Sequence, residues 1–347
     1  MKELVEQLAS QHTLDASALE QLLEHAIHDT DTLQYLRTTA VRTAQEQFGR
    51  GIYIRGLIEL SSYCCRDCLY CGLRRSNSTA ERYRLTQEEV LACCEEGYRI
   101  GFRTFVLQAG EDATHTDEWL VPLIAEMRHR YPDAAITLSL GERSEESYTK
   151  LKEAGADRYL LRHEAANEAL YTSLHPHGRG LNHRLACAEA LQRTGYQVGL
   201  GMMVGVKGQT LHHLVEDFKL IERMQPAMVG IGPFIPHSDT PLASEPAGAM
   251  ELTLATIAIA RLLLPKTLIP STTALATLSP HGRIEGILSG ANVVMPNLSP
   301  TDVRAKYSIY DSKASWGAEA AEGIAALEHE LRGIDYYIDY SRGDFKN

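Results

Sequence analysis

Short apolar runs alternate with amphipathic segments over most of the chain. The runs are rich in β-branched residues and leucine and end at turn-forming residues, a pattern that predicts buried strands. The segments between them repeat apolar residues at helical spacing. The predicted strands cover 53–60, 104–108, 135–140, 158–161, 198–204, 228–232, 267–271 and 292–295. The predicted helices cover 86–101, 117–131, 145–154, 166–174, 183–195, 210–224, 253–264 and 281–288.

Eight strand–helix alternations favour a parallel sheet within an α/β fold, and a (β/α)8 TIM barrel is the simplest arrangement for that count. A doubly wound open sheet is the alternative. Residues 1–50 carry apolar residues at helical spacing and predict an N-terminal helical cap. The barrel is expected over 51–310. Residues 311–347, in which charged residues and tyrosines are mixed, are expected to pack on the barrel as a short C-terminal extension.

The charge balance disfavours nucleic acid as a partner. Lysine and arginine total 34 against 45 aspartates and glutamates, a net charge of −11, and an acidic surface repels phosphate backbones. The most apolar stretch, 252–265, is interrupted by Thr253, Thr256 and Arg261, so we expect no membrane span. The N-terminus lacks the apolar core of a signal peptide, and a cytoplasmic location is therefore expected.

The seven cysteines are clustered and odd in number, unlike a disulfide framework. Cys64, Cys68 and Cys71 follow the first predicted strand with the spacing C-x3-C-x2-C. Three thiolates can hold three irons of a 4Fe–4S cluster and leave the fourth iron open to a small molecule. A zinc site would require a fourth ligand at a suitable spacing, and none follows nearby. Cys65 is expected to be a spare thiol. The remaining cysteines, expected in the core, are Cys93, Cys94 and Cys187.

This cysteine spacing resembles that of the radical S-adenosylmethionine (SAM) superfamily, in which an aromatic residue, here Tyr70, typically precedes the third cysteine. The chain is also similar to the HydE family of FeFe-hydrogenase maturases, which is related to biotin synthase and methylornithine synthase. That similarity spans roughly residues 50–310. It is found in the segments 55–61, 68–77, 82–84, 107–112, 138–142, 154–164, 229–237, 269–274 and 290–297.

The resemblance implies an enzyme with one 4Fe–4S cluster that has an open iron. Such an enzyme cleaves SAM reductively to a 5′-deoxyadenosyl radical. The implied substrate is a small organometallic molecule, a cysteine-bound iron carbonyl/cyanide precursor. The implied partners are a reductant such as ferredoxin or flavodoxin and the companion hydrogenase maturases. Some family members carry further cysteines near the C-terminus for a second cluster. This chain has no cysteine after Cys187, so no second cluster is expected.

The resemblance also places ligand-binding residues. The stretch 108–111 corresponds to a Gly-Gly-Glu-like segment that binds the methionyl amine, with Ala109 replacing its first glycine. Arg184 is expected to pair with the SAM carboxylate. The implied SAM-binding residues are Tyr70, Gln108, Gly110, Glu111, Arg162, Glu164, Arg184 and Met203. The implied substrate-binding residues are Thr137, Ser139, Thr272, Thr273 and Tyr307. Six histidines are expected to face solvent: His115, His129, His175, His177, His212 and His213.

Two other functions stay open. One is a methylornithine synthase-like or biotin synthase-like radical SAM enzyme acting on a small organic substrate, although a biotin synthase needs a second cluster as its sulfur source. The other is a non-catalytic iron–sulfur scaffold or carrier. Binding of SAM would separate the scaffold from the enzymes.

Overall fold

The computed structural model describes residues 1–313 and 320–346. The strands are β1 Gly51–Ile54, β2 Gly56–Ser61, β3 Thr104–Ala109, β4 Ala135–Ser139, β5 Arg158–Leu160, β6 Gln197–Val204, β7 Met228–Pro233, β8 Val293–Val294 and β9 Tyr337–Asp339. The helices are α1 Lys2–Gln11, α2 Ala16–His28, α3 Thr30–Phe48, α4 Gln87–Arg99, α5 Asp117–Arg130, α6 Glu145–Glu153, α7 Glu168–Leu174, α8 Leu181–Arg193, α9 Leu211–Met224, α10 Met250–Leu263, α11 Thr273–Leu278, α12 Gly282–Ile287, α13 Thr301–Arg304 and α14 Ala320–Arg332.

The strands form two parallel sheets. One runs in the order β2-β3-β4-β5-β6-β7, and the other in the order β8-β1-β9. Single parallel bridges continue the pairing between them, at Met228–Leu268, Pro270–Val293 and Leu57–Asn297. The predicted α/β fold with parallel strands is confirmed, and the architecture is TIM-barrel-like.

Two predicted strands differ from the observed ones. The first predicted strand is divided at Arg55, since β1 pairs with β8 and β9 whereas β2 pairs with β3. The predicted strand 267–271 makes only the bridges at Leu268 and Pro270. Pro270 has no N–H to donate to a sheet ladder, which explains why the pairing stays irregular there.

The first three helices pack on one another and on α10. Leu8, Leu22 and Leu36 share a buried apolar cluster with Ile257 and Leu262 of α10. Asp15 begins α2 by accepting the Ala18 N–H at 2.8 Å, as expected of a helix N-cap. The domain boundaries predicted from the sequence stay a prediction. No helix within residues 1–313 and 320–346 is long and apolar enough to cross a membrane.

The two faces of the strands differ in polarity, which defines the interior of the barrel. Ile58, Leu107 and Leu138 lie in the core beneath the helices. The alternating positions Glu59, Gln108 and Ser139 are register partners across β2, β3 and β4. Successive side chains of a strand point to opposite faces, so these three polar residues face the interior near the carboxyl ends of their strands.

The C-terminal segment packs against the same barrel. Strand β9 pairs with β1, and beyond it Asp344 accepts a hydrogen bond of 2.6 Å from the buried Arg158 of β5. Arg158 also donates to the Arg342 carbonyl at 2.8 Å. The segment therefore neutralises a guanidinium that the barrel buries almost completely.

Replacing Asp344 by alanine is expected to lower the free energy of unfolding by about 2 kcal/mol, because it leaves the buried Arg158 without its carboxylate. Asp344 is partly exposed, which reduces the expected loss below that of a fully buried pair. Burial opposes ionisation, but hydrogen bonds from Arg342 and Arg158 still hold the pKa of Asp344 below its ordinary value. Its contribution is therefore present above about pH 4 and is lost as the pH falls through the folded-state pKa.

Urea unfolding at neutral pH measures this loss, and unfolding at lower pH should show the difference between the two proteins shrinking. Glu126→Ala is the matched control, because Glu126 pairs with Arg130 at the surface of α5. Exposed pairs contribute roughly 0–1 kcal/mol. Equal losses in the two variants would contradict the assignment of Asp344.

Candidate active site

The cysteine loop, residues 62–77, follows β2 at the end of the barrel where such folds carry their chemistry. Its backbone is tied to neighbouring segments on two sides. The Cys65 N–H donates to the Glu111 carbonyl at 2.9 Å, and the Gly72 N–H donates to the Ile309 carbonyl at 3.0 Å. The loop is therefore held against the segments that follow β3 and β8.

Gly110 allows the close approach of the cysteine loop to the end of β3. A Cβ atom at this position would lie 2.4 Å from the Tyr63 carbonyl oxygen and 2.6 Å from Cys64 Cβ. Both distances are shorter than van der Waals contact, and one involves backbone that cannot rotate away. The structure thus gives Gly110 a steric role in placing Cys64.

The three spaced thiols are partly buried, whereas Cys65 is exposed. Burial raises the pKa of Cys64, and burial together with the nearby Cys64 raises the pKa of Cys68 to about 12. Burial and the proximity of Cys68 likewise raise the pKa of the Cys71 thiol. Thiolates in such a place need compensating positive charge, which the irons of a cluster supply.

No three His, Cys, Asp or Glu side chains in the described parts of the chain are gathered around one point as ligands of a single metal ion. The fit of an iron–sulfur cluster rests instead on the residue type, the burial and the mutual proximity of the three thiols.

A chain of ion pairs lies beside the loop. Arg66 donates from Nε to Glu111 Oε2 and from Nη2 to Glu142 Oε2, both at 2.6 Å. The other oxygen of Glu142, Oε1, lies 3.2 Å from Arg184 Nε. Glu142 is almost fully buried. Two predicted SAM-binding residues, Glu111 and Arg184, are therefore connected through Arg66 and Glu142.

The sequence reasoning missed Arg66 and Glu142. A usable signal was Gly141, which precedes Glu142 directly after β4 and has a φ of +74°. A Cβ at Gly141 would lie 2.1 Å from Glu111 Cγ, so this glycine lets the two carboxylates come together.

Arg162 and Glu164 follow β5 and form a pair, with Arg162 Nη2 lying 3.1 Å from Glu164 Oε2. Arg162 Nη2 also donates to the Met202 carbonyl at 2.8 Å. Glu164 raises and Arg184 lowers the pKa of the Cys68 thiol, after the larger effects of burial and of Cys64. The predicted residues from β5 and α8 therefore lie beside the cysteine loop.

The aromatic side of the site is formed by Tyr70. His175 Nδ1–H donates to the Tyr171 carbonyl at 2.7 Å, so Nε2 accepts from the Tyr70 hydroxyl at 3.0 Å. The ring of His175 stacks on Tyr171 with a centroid distance of 4.2 Å. Tyr70 packs against a buried cluster that contains Met203, another of the implied SAM-binding residues.

The expectation that His175 and His115 face solvent is wrong, since both are more than nine-tenths buried. His175 is enclosed by the two tyrosines, and His115 packs against Trp119 with a centroid distance of 4.6 Å. Helical spacing could not show that these rings have aromatic neighbours. Of the six histidines expected to face solvent, His129, His177 and His212 are exposed, and His213 is partly buried.

The predicted substrate-binding residues lie on the interior side and at the strand ends. Gln108 Nε2 donates to the Tyr307 hydroxyl at 3.2 Å, and Ser139 is the register partner of Gln108. Among the described residues, the buried hydroxyls of Thr137 and Thr272 have no hydrogen-bond partner. Thr273 begins α11.

An interior ion pair was missed by the sequence reasoning. The fully buried Glu59 pairs with Lys313 and accepts from Asn297 Nδ2 at 2.9 Å. Lys313 also donates to the Tyr307 carbonyl at 3.2 Å. The signal available was a carboxylate inside the apolar run Ile58-Glu59-Leu60.

Comparison with known proteins gives the following relationships. The sequence profile of the Radical SAM superfamily matches residues 58–221. The FeFe hydrogenase maturase subunit HydE of Thermotoga maritima is 44% identical over 288 residues, which cover 83% of this chain and 82% of that protein. The 3-methylornithine synthase of Methanosarcina acetivorans is 27% identical over 279 residues, which cover 80% and 78%. A crystal structure of methylornithine synthase superimposes with a TM-score of 0.85 and 25% identity over 97% of both chains.

Proposed function

The chain belongs to the radical SAM superfamily and, within it, to the HydE family of FeFe-hydrogenase maturases, and on this premise we propose how its residues perform the reaction. It is an enzyme of FeFe-hydrogenase maturation, and its family uses a 4Fe–4S cluster and SAM. The observation that carries the function is the 44% identity to a HydE over 83% of the chain. It is supported by three partly buried thiols at the carboxyl end of the barrel.

Cys64, Cys68 and Cys71 hold three irons of one cluster in this proposal, and the fourth iron stays open for SAM. When bound, the cluster and SAM supply one electron and a 5′-deoxyadenosyl radical. The work of the chain is to hold both groups and to exclude water around them. Cys65 is no ligand, because it is exposed while the other three thiols are partly buried.

The ion pairs beside the loop orient the SAM-binding groups. Arg184 Nε lies 3.2 Å from Glu142 Oε1 and donates to the Tyr171 hydroxyl at 3.3 Å, so the guanidinium is held at Nε. A fixed guanidinium matches a carboxylate geometrically, as the proposed contact with SAM requires. Glu111 and Glu164 bind the polar groups of SAM, and Tyr70 and Met203 enclose its adenine.

The interior of the barrel receives the substrate. Buried hydroxyls without a partner, such as those of Thr137 and Thr272, are costly unless a ligand bonds to them. A cysteine-bound iron carbonyl/cyanide precursor offers a carboxylate and cyanide nitrogen as acceptors. Ser139, Thr273 and Tyr307 complete the proposed substrate-binding set. The Glu59–Lys313 pair lies at the same end and holds the segment that carries Tyr307.

The wider setting follows from the same family membership. The electron comes from a small reductant protein such as ferredoxin or flavodoxin, and the organometallic substrate comes from a companion maturase. The proposed location is the cytoplasm. The proposed organisation is a helical cap over 1–50, a barrel over 51–310 and an extension over 311–347.

The proposed function is tested with the anaerobically reconstituted protein. Dithionite and SAM are expected to yield 5′-deoxyadenosine, and the protein should restore hydrogenase activation in a maturation mixture that lacks its own HydE. The small organic substrate of a methylornithine synthase is supplied in parallel. Conversion of that substrate without hydrogenase activation would favour the methylornithine synthase-like alternative, and a cluster that never cleaves SAM would favour a scaffold.

Reconstitution is expected to give about four irons per chain, the content of one 4Fe–4S cluster. Cys93 and Cys94 are buried neighbours on α4, and Cys187 is buried on α8, so these three do not form a second loop of ligands. Iron analysis after mutation of all three to serine should leave the count unchanged. A value near eight that falls to about four in the triple variant would contradict a single cluster.

A further inference from the structure

Glu164 has an unusual backbone conformation. Its φ is +63°, and the Ala165 N–H donates to the His163 carbonyl at 2.8 Å. This is a three-residue turn with a left-handed residue at its centre, which residues other than glycine and asparagine rarely adopt. Such conformations persist only where the surroundings hold them, and they concentrate at functional sites.

The turn aims Glu164 from the end of β5 toward the cysteine loop. The Glu164 N–H donates to the Gly201 carbonyl at 2.9 Å, and the Glu164 carbonyl accepts from the Met203 N–H at 3.0 Å. Its backbone is thus fixed to β6 on one side. Its carboxylate, mostly buried, pairs with Arg162 and acts electrostatically on the Cys68 thiol.

A buried carboxylate from another element holds both flanks of this turn. Asp217 of α9 accepts at Oδ1 from His163 Nε2 at 3.0 Å and from the Ala166 N–H at 2.7 Å. His163 immediately precedes Glu164, and Ala166 follows two residues later. Asp217 and His163 are both fully buried. Asp217 Oδ1 therefore accepts hydrogen bonds from residues on both sides of the left-handed Glu164.

Asp217 lies among apolar side chains on the buried side of α9. Its neighbours Leu214, Val215 and Phe218 are buried apolar residues of the same helix. Burial raises the pKa of Asp217, and the bonds from His163 and Ala166 oppose that effect. Burying a carboxylate in apolar surroundings costs free energy unless it is hydrogen-bonded. The hydrogen bonds to the turn offset that cost for Asp217.

We propose that the His163–Asp217 pair is a positioning device that holds the Arg162–Glu164 turn in the geometry needed to bind SAM. The inference rests on the proposed function, because it takes Glu164 as a SAM contact. Asp217 touches neither SAM nor substrate in this assignment. It acts through the backbone of 163–166.

The test compares Asp217→Ala with Asp217→Asn, which retains one acceptor for the Ala166 N–H, in reconstituted protein. The alanine variant is expected to bind SAM about 10- to 100-fold more weakly at unchanged iron content, and the asparagine variant should recover part of that loss. Hydrogen exchange at Ala166 in the apoprotein should accelerate in the alanine variant. Val215→Ala, a buried truncation on the same helix, should lower thermal stability while SAM affinity stays unchanged.

A double variant separates positioning from general destabilisation. In a Glu164→Gln background, Asp217→Ala should weaken SAM binding far less than it does alone, because the group that it positions is already altered. His163→Ala gives the same test if Asp217→Ala fails to fold. Normal SAM affinity in the folded single variants, or losses that simply add, would overturn the inference. A wild-type protein that never binds SAM would instead overturn the proposed function.

Discussion

Replacing Cys68 by alanine is expected to abolish both the iron–sulfur cluster and SAM cleavage. Two thiolates cannot hold three corners of the cluster, and without it no electron reaches SAM. The cluster is measured by iron analysis and by its EPR spectrum after reduction. The reaction is measured by the 5′-deoxyadenosine released with dithionite and SAM. In the wild-type protein, addition of SAM should perturb the EPR spectrum, because the molecule binds at the open iron.

Cys65→Ala is the matched control for this change. Cys65 is next to Cys64 in sequence, yet its thiol is exposed while the other three thiols of the loop are partly buried. Its backbone N–H bonds to the Glu111 carbonyl, a contact that alanine preserves. The variant should keep its iron, its spectrum and its activity. Loss of the cluster in Cys65→Ala, or its retention in Cys68→Ala, would contradict the ligand set.

The features predicted correctly from the sequence are local ones. The alternation of strands and helices follows from side-chain periodicity, which each segment carries within itself. The spacing of Cys64, Cys68 and Cys71 is a local feature as well. Because these cysteines follow directly after a predicted strand, the sequence also indicates at which end of the barrel they lie. The division at Arg55 could not be predicted in this way, since it depends on which strands lie on either side of β1 and β2.

The features that the sequence did not reveal are pairings between distant residues. Lys313 and Glu59 are 254 positions apart, and Arg158 and Asp344 are 186 positions apart. No periodicity marks such a pair, because each partner on its own resembles an ordinary charged residue. His163 and Asp217 illustrate the same limit, for the strain that they offset arises from the backbone of Glu164. A sequence shows the charge but not its partner.

Replacing Arg184 by alanine is expected to weaken SAM binding roughly 30- to 150-fold without loss of the cluster. The proposed contact is a charge-assisted pair between the guanidinium and the SAM carboxylate, on the order of 2–3 kcal/mol. Folding should survive, because Arg66 still pairs with the buried Glu142 when Arg184 is removed. The dissociation constant of SAM is measured by calorimetry on reconstituted protein, with iron content determined on the same samples.

Two further variants sharpen this prediction. Arg184→Lys keeps the charge but not the planar guanidinium, so it should recover only part of the affinity. Arg193→Ala on the same helix removes an exposed pair with Glu145 and should leave SAM binding unchanged. If Arg184→Ala and Arg193→Ala bound SAM equally well, Arg184 would contact Glu142 and Tyr171 but not SAM. The expected 30- to 150-fold difference in SAM affinity between Arg184→Ala and Arg193→Ala corresponds to about 2–3 kcal/mol. A difference of that size is readily measured and decides whether Arg184 contacts SAM.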